Sequence, residues 1–214
     1  MTRKASLGIL LAIVALLFLS GLWMYPSLPD RMDSHWDLSG KADSTLPRFW
    51  GVFLLPFTGL FLLALYGAIL RFDPLKSNIE KFRKIYDGFF IALLLFFLYL
   101  HILVLLWNRG LRFHMIQCLV PAMACLFWAC GTVIRYARPN WSVGIRTPWT
   151  LSSETVWTKI HEKGGRLFKV CGVIALLGVL LPNWALAFVL GPLLGVSLYL
   201  IVDSYVLYKR EKET

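Results

Sequence analysis

Six apolar blocks separated by polar intervals run the length of this chain of 214 residues. They cover Leu7 to Tyr25, Phe49 to Leu70, Gly88 to Trp107, Met115 to Tyr136, Leu167 to Leu181, and Trp184 to Tyr208. A helix needs roughly 20 apolar residues to cross a bilayer, so the blocks predict membrane-spanning helices, the fifth of them short. Pro26 ends the first, with Trp23 and Tyr25 placed as an interface anchor. The N-terminal basic residues resemble the start of a signal sequence. The apolar run is too long for one and no cleavage site follows, so it is expected to remain as the first span. Pro56, Gly59, Pro121 and Gly191-Pro192 fall inside the blocks, where neighbouring helices can satisfy freed backbone groups. Pro182-Asn183 predicts a tight turn between the last two helices.

The predicted fold is therefore all-α: a polytopic integral membrane protein, built as a six-transmembrane-helix bundle in one domain, residues 1–214. Residues 1–70 form an N-terminal helix pair with a loop at 26–48. Residues 115–208 hold the most particular polar interval, the loop at 137–166.

Charge sets the expected orientation. With the N-terminus inside, seventeen of the twenty-two Lys and Arg residues fall on inner segments. Only Arg31, Lys41, Arg48, Arg109 and Arg112 fall outside. That asymmetry predicts both termini in the cytoplasm and a multi-pass protein of the bacterial cell membrane. It also accounts for the net charge of +10 without a nucleic-acid partner, since a basic inner face suits anionic membrane lipids. Cys118, Cys125, Cys130 and Cys171 form no Cys-x-x-Cys pair and read as small core residues.

The inner loop reads Gly144-Ile-Arg-Thr-Pro-Trp-Thr-Leu-Ser-Ser-Glu-Thr-Val-Trp157, then His161 and Gly164-Gly165. Pro148 drives Thr147 to an extended conformation. Ser152 or Ser153 then caps a short helix closed by the two glycines, with Glu154 in its first turn and Val156, Trp157 and Ile160 on one face. Arg146 is the candidate for an anionic or carbonyl partner, Pro148 for fixing the turn, and Trp149 and Trp157 for interface anchors. Thr150 and Glu154 would complement the helix start.

The outer loop carries Asp33, His35, Trp36, Asp37 and a Ser39-Gly40-Lys41-Ala42-Asp43 turn. It is expected to be compact and ordered. No second histidine or fixed carboxylate spacing supports a metal, and no cofactor is expected. His101, alone in a membrane helix, is expected to hydrogen-bond a neighbouring helix. Asp203 is expected to pair with Lys209, Arg210 or a basic residue of the long loop. No metalloprotease spacing, Gly-x-Ser-x-Gly elbow, phosphate-cradling loop or intramembrane acidic pair marks an enzyme, so no catalytic residue is assigned.

The stretch from Gly144 to Trp157, with His161 and Gly165, closely resembles the signature of the SdpI family of bacterial membrane proteins. Leu28-Pro29, His35-Trp36 and Ser39 to Asp43 are similar to the small membrane domain of unknown function that often precedes it. The resemblance implies immunity to a secreted, membrane-active peptide toxin. It also implies a receptor role in which a cytoplasmic transcriptional repressor is held at the membrane. The peptide toxin would then meet the outer loop at His35, Trp36 and Asp37. Two other readings stand beside it. One is an enzyme or transporter for lipid or cell-wall precursors, with Arg146, His161 and Lys163 as a headgroup clamp. The other is a bundle with a structural or assembly role.

Overall fold

The computed structural model describes residues 2–37 and 39–213. Met1, Leu38 and Thr214, which the sequence reading puts in the N-terminal segment, the first loop and the tail, lie outside the described residues. The chain runs α1 (Arg3–Met24), a hairpin of β1 (Arg31–Trp36) and β2 (Ala42–Pro47), α2 (Arg48–Phe72), α3 (Lys76–Lys81) and α4 (Arg83–Asn108). It continues through α5 (Met115–Tyr136), α6 (Pro148–Ser152), α7 (Glu154–Ala175), α8 (Leu177–Leu180) and α9 (Ala185–Glu213). Among the described residues five helical stretches are long and apolar enough to cross a membrane. They are Arg3–Ser27, Arg48–Phe72, Arg83–Asn108, Met115–Tyr136 and Pro182–Glu213. Each coincides with a predicted apolar block, and the protein is a multi-pass membrane protein.

The remaining block corrects the sequence reading. The predicted short helix and the predicted span from Leu167 are one continuous helix, α7, which ends before a separate turn of helix, α8. Gly164 and Gly165 do not close anything; neither adopts a positive φ. They serve close packing instead. A Cβ on Gly165 would lie 2.5 Å from Arg135 Cβ and 2.7 Å from the Gly131 carbonyl oxygen, and one on Gly172 would lie 2.9 Å from the Ala124 carbonyl oxygen. Gly165 and Gly172 are two turns apart and so share a face. Small residues on that face let the backbones of α5 and α7 touch, the packing that stabilises helices where apolar burial alone offers little.

Two helix groups result. In one, α1, α2 and α4 enclose Leu10, Val14, Tyr66, Tyr86, Phe90 and Leu94. In the other, α5, α7 and α9 enclose Val120, Phe127, Cys171 and Val189. Trp157 of α7 packs into the first group, so α7 joins the two. The first group is also tied by charge. Arg83 donates to Asp87 (2.7 Å), to the Tyr66 hydroxyl (2.8 Å) and to Glu80 (3.0 Å), while Arg3 donates to Glu80 (2.6 Å). Asp87 is almost fully buried, and a carboxylate so placed needs such pairing.

At the other end of the bundle the predicted ordered loop is an antiparallel hairpin, its register running from Arg31 opposite Pro47 to Trp36 opposite Ala42. Gly40 makes the turn at φ +78°, and Asp37 accepts from the Ser39 hydroxyl (2.7 Å) and the Lys41 amide (2.9 Å). Asn108 receives the Asp33 amide (2.8 Å) and donates to its carbonyl (3.0 Å), as one strand would to another, and Trp107 donates to the Asp33 carboxylate (2.8 Å). Met32, fully buried, seats against Gly51 of α2.

His101 is fully buried beside Gly21 and Val52. It faces the Leu17 carbonyl of α1, the neighbouring helix, although its ring makes no hydrogen bond of normal geometry among the described residues.

The α5–α7 contact yields a direct test. Gly165→Ala should lower the thermal unfolding midpoint in detergent, because overpacking a closed contact typically costs about 1–3 kcal/mol. Gly67→Ala, where nothing lies within 4 Å of the added methyl, should be neutral or slightly stabilising.

Candidate functional site

The loop between α5 and α7 is held from below and from both sides. Below it, Asp73 accepts from the Ser142 hydroxyl (2.5 Å) and the Trp141 amide (3.1 Å), and the Asn78 amide donates to the Pro139 carbonyl (2.8 Å). Asn140, fully buried, ties the first bend with its own side chain. Its oxygen accepts from the amides of Ser142 (2.8 Å) and Val143 (2.6 Å), and its nitrogen donates to the carbonyls of Arg138 (2.7 Å) and Val143 (2.8 Å).

Beyond Gly144 the chain enters α6 as the Thr-Pro sequence predicts. Thr147 is extended (φ −102°, ψ 161°) and caps the helix, with Pro148 in the first turn. Thr147 and Thr150 exchange side-chain and backbone bonds as a capping box. Thr150 also donates to the Ile145 carbonyl (2.8 Å), and the Thr147 hydroxyl meets that of Ser204 in α9 (3.0 Å). Trp149 packs against Tyr205 at 5.1 Å between centroids. Ser153 then caps α7 by accepting from the Val156 amide, and Glu154 occupies the first turn.

His161 closes the arrangement. Its ring lies on Trp157, 3.9 Å between centroids and 15° from parallel. Its Nε2 accepts from the Ile145 amide (3.0 Å), so the ring proton sits on Nδ1, which donates to the Trp157 carbonyl (2.8 Å). Trp157 Nε1 donates to the Ala137 carbonyl (2.9 Å). Gly144, at φ +127°, is required twice over: for its backbone angle, and because a Cβ there would collide with His161 Nε2. Burial pulls the His161 pKa down to about 4 from an ordinary 6.5, against a smaller opposing effect of the Trp157 carbonyl.

The structure thus brings Gly144, Thr147, Thr150, Trp157 and His161 into one buried knot, with Gly165 beneath it on the α5 contact. Arg146, Pro148 and Glu154 stay exposed, and Trp149 is half-buried. Among the described residues the Arg146 side chain meets no hydrogen-bond or ion-pair partner. Lys163 pairs with Asp203 (2.6 Å) and the Tyr199 hydroxyl (3.2 Å), and Asp203 is what chiefly raises its pKa. That places Asp203 with a basic residue of the long loop, one of the pairings expected of it. Of Arg146, His161 and Lys163, Arg146 alone has every side-chain donor uncommitted among the described residues. The five hairpin residues lie at the opposite end. His35 pairs with Asp43 (2.6 Å), Trp36 meets Trp107 edge-on at 5.7 Å, and Gly40 sits over the His114 ring. Among the described residues no group of His, Cys, Asp or Glu is placed to hold a metal ion.

Sequence reading missed Asp73, Asn140 and Ser204. Asp73, followed by Pro74 at a helix end, carried a turn signal. A single serine in an apolar helix carries none.

Two family matches fall on these two ends of the chain. Residues 137–203 match the SdpI/YfhL protein family, and residues 12–60 match a domain of unknown function, DUF1648. The resemblance read from the signature and the hairpin therefore holds. Over 199 residues the chain is 24% identical to the immunity protein SdpI of Bacillus subtilis (strain 168), covering 92% of this chain and 93% of that protein. No solved structure matches significantly.

The buried imidazole predicts a pH dependence. Its folded pKa is lowered, so its contribution to stability is complete above about pH 6.5 and is lost as pH falls towards 4. Between pH 7 and pH 5 the wild-type protein should lose on the order of 2 kcal/mol more than His161→Gln. Unfolding midpoints of the two proteins at both pH values measure this directly.

Proposed function

We propose that this chain is a membrane immunity protein that protects a bacterial cell from a secreted peptide toxin, by binding and without catalysis. What carries the reading is the similarity to a protein named for immunity, which spans nearly the whole chain and includes both the signature loop and the hairpin domain. In the proposed topology α7 from about Leu167 and α8 together make a sixth crossing, both termini are cytoplasmic, and the hairpin faces outward in the cell membrane. The distribution of Lys and Arg supports that orientation.

Within this reading the two ends have different tasks. The hairpin end meets the toxin. The knot around His161 makes the cytoplasmic loop a stable platform, from which Arg146 projects towards a partner bearing an anionic or carbonyl group. Anionic lipid headgroups also lie along this basic face. A toxin-sensing role, with a transcriptional repressor held on that platform, requires two arrangements of the bundle with different affinities at the two ends. α4 and α7 are suited to link them. Asn108 and Trp107 of α4 hold the hairpin and Tyr86 of α4 lies in the same core as Trp157.

Survival of a toxin-sensitive bacterial strain challenged with a sporulation-delaying-type peptide tests the proposal. The wild-type chain should protect. Arg146→Ala should reach the membrane in equal abundance, since exposed substitutions usually change stability by no more than about 0.5 kcal/mol, yet protect poorly. Arg146→Lys should also protect poorly, because lysine keeps the charge and loses the planar fork. Equal protection by Arg146→Lys and wild type would rule out a specific guanidinium role, and no protection by wild type would sink the immunity reading for that toxin.

A further inference from the structure

The hairpin does not lie flat on the bundle. Two hollows open on either side of Trp36. The larger, about 490 Å³, lies between the hairpin and the facing helices α5 and α9, where Val120, Met123, Leu186 and Val189 line it. The smaller, about 290 Å³, lies between the hairpin and α2, α4 and α5, with Leu54 and Val104 among its walls. His35, Trp36, Ile116 and Leu119 line both, so the two are adjoining parts of one trough passing under the hairpin tip. The larger alone falls within the roughly 300–1,000 Å³ of ligand sites.

The chemistry of the walls is divided. The helices supply aliphatic side chains, while the polar groups come from the hairpin: Ser34, His35, Asp37 and Asp43. Among the described residues no lysine or arginine lines either hollow, although Lys41 lies close enough to Asp37 to act on its charge. Asp43 is paired with His35, but Asp37 is half-exposed and favoured in its ionised form by the Ser39 hydroxyl and the Lys41 amide, which lower its pKa.

These features select among ligands. An anionic phospholipid would bring its phosphate to a rim lined by Asp37 and Asp43. A peptide segment with apolar side chains and a positive charge at one end matches both the apolar walls and the acidic rim. We infer that the trough beneath the hairpin is a docking site for a cationic, amphipathic peptide, whose apolar side chains enter the hollows between α5, α9 and α2, and whose basic end meets Asp37 and Asp43. The inference rests on the immunity reading for the identity of the natural ligand, and on the trough alone for its chemistry.

The experiment uses the full chain in nanodiscs of zwitterionic lipid. The probes are a fluorescent leucine–alanine helical peptide with lysines at one end and its twin with glutamates there. Wild-type discs should bind the lysine peptide saturably and more tightly than empty discs. Leu186→Trp, which fills the larger hollow, should weaken that binding about tenfold. Leu198→Trp, on α9 but away from the trough, should leave it unchanged. Asp37→Asn combined with Asp43→Asn should weaken the lysine peptide about threefold and not the glutamate twin. Binding no better than to empty discs overturns the inference. So does unchanged affinity in Leu186→Trp of normal unfolding midpoint, or a bound phospholipid that the peptide fails to displace. In the survival assay, full protection by both wild type and Leu186→Trp would leave immunity standing and remove the trough. Leu186-dependent peptide binding without any protection would do the reverse.

Discussion

The backbone contact between α5 and α7 is the constraint on which the signature end depends. With Gly131 and Gly165 face to face, no side chain separates the two helices, and Gly172 repeats the contact against Ala124 two turns further on. That contact fixes the axial position of α7 as well as its distance from α5. Helix α7 then extends past the end of α5, and its first turns carry Trp157 to the Ala137 carbonyl and into the core of the other helix group. A larger residue at position 165 would push α7 outward, and the indole would lose its acceptor and its apolar bed together.

On that frame, above the Asp73 carboxylate that holds its base, the polar loop is closed by neutral groups. His161 serves as an acceptor on one nitrogen and a donor on the other, and the hydroxyls of Thr147, Thr150 and Ser204 complete the set. Neutral hydrogen-bonding groups cost far less to bury than ions, provided each finds a partner. Charge is kept to the rim, where Lys163 pairs with Asp203 and Arg146 remains exposed. A loop built this way holds its shape while presenting the exposed guanidinium of Arg146. The opposite end uses a different scheme: a hairpin anchored by Asn108, Trp107, Met32 and the Trp36–Trp107 contact, with open apolar space beside them.

Five of the membrane helices were legible because apolar blocks of bilayer length are dictated by the solvent, whatever the packing. Local chemistry was legible too. The Thr-Pro pair set an extended residue and a helix start, and a serine capped α7. The asymmetry of Lys and Arg was readable for the same reason, since it concerns composition and not contact. The boundary at Gly164-Gly165 was misread because glycine has two uses, ending a helix through a positive φ or admitting a neighbouring backbone. Only the presence of α5 decides which applies. His101 was expected to hydrogen-bond a neighbouring helix, and it faces the Leu17 carbonyl of α1 without normal geometry, because a sequence shows donors and acceptors but not the distances and angles between them.

The sequence by itself determined which segments lie in the membrane, where the polar loop begins and how its short helices start. Those are consequences of solvent and of backbone sterics within a few residues. Only the tertiary structure decided that Gly144, Trp157 and His161 form one buried group, that Lys163 is committed to Asp203 while Arg146 is not, and that a trough lies under the hairpin. Each of these depends on residues distant in the chain occupying, or leaving empty, the same few ångströms of space.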